Sequence, residues 1–226
     1  MLRTHIAALT LALASSQALA QGASFQAFNA FQAFRFEVSI TNLTPGQSFT
    51  PQFLATHSRR DGLFTLGEPA SWELEQLAEG GATGPLTDLY ANDAQELKTL
   101  DGLLGPGQTV TTTISGRGGW HYLTMAAMLL PTNDTFVGIS GMRLPVRGSA
   151  TYMVPAYDAG TEENDQDCAN IPGPLCDGDA FSDPAPGDEG FVHIGNGFHE
   201  LGGSALSPAR YDWRNPVARV VVKAIR

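Results

Sequence analysis

Carboxylate side chains are concentrated between positions 158 and 189, where the chain carries no lysine or arginine. The ten acidic residues of this acidic stretch are Asp158, Glu162, Glu163, Asp165, Asp167, Asp177, Asp179, Asp183, Asp188 and Glu189. Carboxylate oxygens are ligands that Ca²⁺ prefers, and Gly160 permits a tight turn that presents a carbonyl or a side chain to an ion. The same residues are compatible with a solvated loop surface, so the acidic stretch alone leaves both interpretations open.

Both cysteines of the chain, Cys168 and Cys176, lie within the acidic stretch, eight positions apart. The sequence around them contains proline and glycine, which is typical of a loop. In an oxidising compartment the pair predicts a local disulfide that would pin part of this loop. A zinc site built on the two thiols alone is less consistent with the sequence, because zinc needs further ligands at a suitable spacing.

Two histidines, His193 and His199, flank a glycine-rich segment and lie close to Glu200. A histidine pair beside a carboxylate can bind zinc or iron, or act as acid and base, so a metal-dependent hydrolase is one alternative function. The spacing matches no standard metal motif, and His193 falls in a short strand pattern where a structural hydrogen bond is the simplest role. The sequence also lacks a Gly-x-Ser-x-Gly nucleophile motif and a phosphate-binding loop, which favours a non-enzymatic protein.

The whole chain is acidic, with 13 Lys and Arg against 23 Asp and Glu and a net charge of −10. Such a balance lacks the basic face that contacts phosphates, which argues against nucleic-acid binding and against electrostatic adhesion to anionic membranes. With 226 residues, of which 42% are hydrophobic, the chain is long enough to bury a sizeable core.

Residues 1–20 predict a secretory signal peptide. Arg3 supplies the charged start, an apolar run extends to Leu13, and Ala18-Leu19-Ala20 offers small residues for cleavage after Ala20. The apolar run is too short to span a bilayer, and no other stretch qualifies, so we expect no transmembrane segment. The protein is therefore expected to be secreted or periplasmic.

The remaining sequence predicts mainly β-strands. Residues 34–41 alternate apolar and polar side chains, as a half-buried strand does, and residues 123–130 form a continuous apolar run suited to a central strand. Residues 21–33 are either a leader or part of the first strand. The other strands are predicted over 49–57, 109–115, 136–139, 151–154, 191–194 and 217–225. About eight short strands separated by dense turn signals are typical of a β-sandwich.

Helices are predicted in only two places. Pro69 suits the first position of a helix over residues 69–79, and Gly80 with Gly81 supplies its end. A second short helix is predicted near residues 92–100. The sequence therefore predicts an antiparallel β-sandwich with one or two short helices in a long connection.

Several motifs along the chain resemble the spondin N-terminal (F-spondin) domain, and they occur in the family's order. The motifs occupy residues 42–51 with His57, 67–71 with 77–81, 128–138, 157–161 and 215–220. On this resemblance, residues 34–226 are identified as a microbial, single-domain member. The resemblance implies a C2-like β-sandwich and a secreted role in adhesion or in recognition of an extracellular protein or glycan. Calcium-dependent membrane-surface binding is a further alternative, by fold analogy with C2 domains.

The resemblance also implies a calcium site at one end of the sandwich. The family's side-chain ligands fall on Asp134, Asp158 and Glu162, the last where animal members carry Asp. Glutamate has one more methylene group, so its carboxylate can still reach the ion with a changed geometry. Asp134 and Asp158 can meet only if the strands beside them are neighbours, and taken alone both residues are also typical of turns. Three nearby acidic residues are alternative ligands: Glu163, Asp165 and Asp167.

Overall fold

The computed structural model describes residues 33–58, 62–117, 122–198 and 206–225. These residues form eleven strands: β1 (Ala33–Asn42), β2 (Ser48–Phe49), β3 (Gln52–His57), β4 (Ala94–Leu100), β5 (Thr109–Arg117), β6 (Tyr122–Leu130), β7 (Thr135–Arg143), β8 (Ser149–Val154), β9 (Ala156–Asp158), β10 (His193–Ile194) and β11 (Ala218–Ile225). The strands belong to two antiparallel sheets, which confirms the predicted β-sandwich.

The two sheets differ in size. One has four strands in the order β5-β1-β11-β8, and the other has seven, with β10-β9-β7-β6-β3-β4 in a row and β2 paired to β6. The strand predicted over 34–41 is β1, whose alternation buries Phe36, Val38 and Ile40. Within the predicted strand 191–194, only His193–Ile194 forms a strand.

The seven-stranded sheet is covered on both faces. Its inner face packs against the four-stranded sheet, where Met125 and Leu129 of β6 meet side chains such as Ile40. Its outer face packs against two helices through a second cluster that includes Ala126 and Phe136. A strand buried on both faces is almost entirely apolar, which explains the run in β6. Thr124 is the buried polar exception, and its hydroxyl is hydrogen-bonded to His57 Nε2 at 2.9 Å.

Two helices lie on the outer face and one lies near the end of the chain: α1 (Trp72–Gly80), α2 (Gly84–Tyr90) and α3 (Pro208–Tyr211). The predicted start of α1 at Pro69 was wrong, because Ser71 is the N-cap and its hydroxyl accepts a hydrogen bond from the Leu74 amide. The predicted end is confirmed, since Gly81 adopts φ +66° after the last helical residue.

The helix predicted near residues 92–100 was wrong. This segment is strand β4, which pairs antiparallel with β3 from Gln52 opposite Leu100 to His57 opposite Ala94. Most residue types in this segment favour helices: alanine, glutamine, glutamate, leucine and lysine. The segment nevertheless forms a strand, because it pairs with the buried strand β3. The second helix lies just before it, as α2.

Residues 1–20, for which a signal peptide is predicted, lie outside the described residues, as do residues 21–32 of the possible leader. Ala33 is the first residue of β1. The assignment of residues 34–226 to one domain stays a prediction. In the described part of the chain, every helix is too short or too polar to cross a membrane.

Candidate metal centre

Three neighbouring strands bring acidic side chains to one end of the seven-stranded sheet. Asp134 immediately precedes β7, and Asp158 is the last residue of β9, where it lies opposite Thr135. On the other side of β9, His193 of β10 also lies opposite Asp158. The strands therefore are neighbours, which is the condition for Asp134 and Asp158 to meet.

The Asp134 side chain is fully buried, and only one of its two carboxylate oxygens accepts hydrogen bonds. Its Oδ2 accepts hydrogen bonds from the Thr161 amide at 2.8 Å, the Thr161 hydroxyl at 3.3 Å and the Glu162 amide at 3.2 Å. Its Oδ1 is also buried and has no hydrogen-bond partner. Burial first, and then the charge of Asp158, raises the pKa of Asp134 well above its usual value.

Asp158 is held by donors on both of its oxygens. Oδ1 accepts from the Gly160 amide at 2.9 Å, and Oδ2 accepts from Asn164 Nδ2 at 2.8 Å. Burial raises the pKa of Asp158, against the hydrogen bond from Asn164 and the interaction with His193. Gly160 adopts φ +70°, and a Cβ at this position would lie 2.4 Å from the Phe191 carbonyl oxygen, so the turn requires glycine.

Two more potential ligands lie beside Asp158. His193 Nε2 is 3.2 Å from Asp158 Oδ1, and Asn164 Nδ2 also donates to Glu189 Oε1 at 3.1 Å. One ligand atom from each of Asp158, Glu189 and His193 lies within 4.8 Å of the other two. We call Asp134, Asp158, Glu189 and His193 the strand-end cluster.

Glu162 is placed differently from the two aspartates. Its amide contacts Asp134, but its carboxylate interacts most strongly with Glu79, near the C-terminal end of α1. Burial, together with repulsion from Glu79, raises the pKa of Glu162 to about 7. Burial likewise raises the pKa of Glu79 to about 7, against hydrogen bonds that include one from the Ser182 amide at 3.3 Å. We call Glu79 and Glu162 the helix-end pair.

The alternative ligands predicted nearby have other contacts. Asp165 Oδ1 accepts from Asn133 Nδ2 at 2.9 Å, and Asp167 Oδ1 accepts from the Ala169 amide at 3.0 Å. The Asp167 bond caps a short 3-10 helix, Cys168–Asn170. Glu163 packs against Gly187, where an added Cβ would lie 2.5 Å from the Glu163 carboxylate. These three residues therefore shape the loop.

Cys168 and Cys176 form a disulfide across eight positions, as predicted. Both cysteines pack against the core between the two sheets. The bridge therefore attaches the middle of the acidic stretch to the sandwich.

Sequence reasoning did not single out two of these residues. Glu79 was predicted only as the end of a helix, and Glu189 only as a member of the acidic stretch. Glu79 follows the buried Leu77 and Ala78, so a carboxylate at the edge of an apolar helix face was the available signal. For Glu189 no local signal exists, because strand pairing and Asn164 bring it to Asp158. His199, the partner proposed for His193 in a hydrolase, lies outside the described residues.

The structure places Asp134 next to Asp158 on neighbouring strands, and the Glu162 amide donates to Asp134, whereas the charge that most raises the pKa of the Glu162 carboxylate is that of Glu79. No curated protein matches the chain. The family model Spondin_N matches residues 40–166, a range that contains all three predicted ligands but neither Glu189 nor His193. Because the match covers more than half of the sequence, this chain belongs to the Spondin_N family.

Proposed function

We propose that this chain is an extracellular calcium-binding spondin domain that acts in adhesion or in recognition of a protein or glycan, without catalysing a reaction. The observation that carries the proposal is the buried pair Asp134 and Asp158 at one end of the sheet. Asp134 Oδ1 is buried without a hydrogen-bond partner, although a buried oxygen of this kind is normally paired.

The donor set fits calcium. Ca²⁺ takes six to eight hard oxygen ligands from carboxylates, carbonyls and water. Burial raises the pKa values of both Asp134 and Asp158, and nearby carboxylates add to this: Asp158 for Asp134, and Glu189 for Asp158. A cation beside these carboxylates would therefore remove an electrostatic penalty. Glu162 is adjacent through its amide and would supply a third carboxylate. When bound, the ion would fix the two loops to each other.

Two features support an extracellular location. Disulfides persist mainly in oxidising compartments, and Cys168 is bonded to Cys176. The predicted signal peptide at residues 1–20 points the same way.

Exposed apolar side chains beside the strand-end cluster support a role in recognition. Phe191 and Ile194, on either side of His193, are each 42% exposed. Apolar groups rimmed by polar residues are common at interaction sites. Calcium would therefore order a surface that contains both charged and apolar contacts.

Thermal unfolding in EDTA and in Ca²⁺ tests the calcium site. An ion at one hundred times its Kd adds about 2.7 kcal/mol to the stability of the folded state. For a domain of this size we expect the Tm to rise by about 5–10 °C on addition of Ca²⁺. Asp134→Asn should lose this rise, whereas Asp183→Asn, an exposed change in the same acidic stretch, should keep it.

The stability of Asp134→Asn in EDTA shows whether this variant folds normally. Removing the Asp134 charge relieves repulsion with Asp158, so Asp134→Asn should be at least as stable as the wild type in EDTA. No Ca²⁺ response in the wild type, or an equal response in Asp134→Asn, would refute the calcium site.

A further inference from the structure

The hydrogen bond of the His193 ring determines which ring nitrogen can bind a metal ion. His193 Nδ1 lies 3.2 Å from the backbone carbonyl oxygen of Ile194. A carbonyl oxygen can only accept, so Nδ1 must carry the hydrogen in this bond. In the neutral ring Nε2 then presents a lone pair, which is the form that binds a metal ion.

The His193 Nε2 atom faces a carboxylate. His193 Nε2 is 3.2 Å from Asp158 Oδ1, is buried from solvent, and lacks the geometry of a hydrogen bond. A protonated ring would form an ion pair with Asp158 at this distance, and a neutral ring can share a metal ion with the same carboxylate oxygen. Ligands about 2.0–2.1 Å from one tetrahedral zinc ion lie roughly 3.3 Å apart, which agrees with the observed separation.

Glu189 supplies a third ligand, and its position is braced. Asn164 Nδ2 donates to Asp158 Oδ2 at 2.8 Å and to Glu189 Oε1 at 3.1 Å, so one amide aligns both carboxylates. The Gly190 amide also donates to the Gly160 carbonyl at 2.8 Å, which attaches the Glu189 segment to the turn after Asp158. Such hydrogen bonds commonly orient metal ligands.

A second, independent observation points to a cation at this place. Asp134 is fully buried, and its Oδ1 has no hydrogen-bond partner. The Ala159 amide donates to the Asp134 carbonyl oxygen at 3.3 Å, which holds Asp134 beside the end of β9. An unpaired buried carboxylate oxygen therefore belongs to a residue next to Asp158.

We propose that Asp158, Glu189 and His193 bind a Zn²⁺ ion. One imidazole and two carboxylates form a mixed nitrogen and oxygen donor set that suits zinc, whereas Ca²⁺ prefers oxygen ligands alone. The proposal goes beyond calcium binding, because it assigns a second class of cation and two ligands outside the segment that matches the family. Asp158 belongs to both ligand sets, so its substitution cannot distinguish the two ions. Substitutions of His193 and Glu189 test zinc binding, and substitution of Glu162 tests calcium binding.

Calorimetric titration of the purified protein with Zn²⁺ at pH 7.5 tests the site. We expect one high-affinity Zn²⁺ per chain in the wild type and at least a hundredfold weaker binding in His193→Ala. Glu189→Gln should weaken binding about tenfold or more, and Asp183→Asn should bind as the wild type does. Substitution with Co²⁺ adds a spectroscopic check, because loss of the His193 nitrogen should change the visible absorption bands.

The outcomes separate zinc from calcium. Retained Ca²⁺ stabilisation in His193→Ala, together with lost Zn²⁺ binding, supports the proposal even if the calcium ligands prove to be different. Absence of Zn²⁺ binding in the wild type, or wild-type affinity in both variants, would overturn it. If His193→Ala loses both responses through a disturbed fold, the exposed Glu189→Gln decides, since that change leaves strand β10 intact.

Discussion

The strand-end cluster and the helix-end pair are both buried groups of carboxylates, but they differ in how they are held. In the strand-end cluster, three donors converge on Asp134 Oδ2, and each oxygen of Asp158 accepts one hydrogen bond. In the helix-end pair, Glu79 accepts from the Ser182 amide at 3.3 Å and from the Thr161 side chain, and Glu162 accepts from the Ser182 side chain. Each group also contains one buried oxygen without a hydrogen-bond partner, Asp134 Oδ1 and Glu162 Oε2.

This difference decides how each group can be neutralised. Donors that point at a carboxylate stabilise its charged form, so the strand-end cluster is prepared for a cation. Two glutamates with fewer donors and a pKa of about 7 each can be neutralised by a proton near physiological pH. We therefore expect metal ions to act on the strand-end cluster, whereas pH in EDTA should act on both groups, because burial also raises the pKa values of Asp134 and Asp158.

The largest effect should be a loss of stability as pH rises in EDTA. Between pH 4.5 and 7 the folded protein keeps protons on Glu79 and Glu162 that the unfolded chain has released. Stability from these groups is thus fully present below pH 4.5 and is lost as pH rises through 7. One such shift corresponds to about 3 kcal/mol, or roughly 6–12 °C in Tm.

Glu79→Gln should remove most of the pH dependence that comes from the helix-end pair, because it deletes one carboxyl and lowers the pKa of the other. Thermal melts followed by circular dichroism from pH 4.5 to 8 measure the slope. Glu73→Gln, on the same helix, is the matched control and should keep the wild-type slope. An unchanged slope in Glu79→Gln would show that the helix-end pair does not dominate the pH response.

A smaller effect is expected for Glu162, which belongs to the helix-end pair but whose amide donates to Asp134 of the strand-end cluster. If its carboxylate joins the calcium site, Glu162→Gln should weaken Ca²⁺ binding about tenfold, which is 1.4 kcal/mol or about 3–5 °C of the Ca²⁺-induced rise in Tm. In EDTA at pH 7.5 the same variant should be more stable than the wild type, because repulsion with Glu79 is removed.

Comparison of the two glutamates makes this result decisive. Glu79→Gln should also be stabilised in EDTA but should keep the full Ca²⁺ response. Equal Ca²⁺ responses in both variants would assign Glu162 to the helix-end pair alone, and the strand-end cluster would then hold calcium without it.

Elements whose character is local were predictable from the sequence. The alternation of apolar and polar side chains predicted β1, the apolar run predicted β6, and Gly81 predicted the end of α1. The strand β4 was not predictable, because its helix-favouring residues are outweighed by pairing with β3. Such patterns lie within short stretches of sequence and can be recognised there. The pairing of strands that are tens of residues apart leaves no comparable pattern in either strand.

The candidate site shows the same division. Asp134 and Asp158 were found through motifs that resemble a known family, and the disulfide was found through cysteine spacing. The place of His193 opposite Asp158 depends on the register of β9 with β10, which joins residues 35 positions apart. The contact between Glu79 and Glu162 likewise depends on how a helix packs on the sheet, so it had no sequence signal.

The smallest effect tests whether the two groups are independent. Ser71 caps α1, the helix that carries Glu79, but its hydroxyl oxygen is 3.4 Å from the Leu74 amide, which is a long hydrogen bond. Ser71→Ala should therefore cost about 0.5–1 kcal/mol, near the lower end for such caps, or roughly 2 °C in Tm. The same loss is expected in EDTA and in Ca²⁺, since the cap contacts neither Asp134 nor Asp158. A loss that differs between the two conditions would show that α1 transmits calcium binding, and that the two carboxylate groups act as one unit.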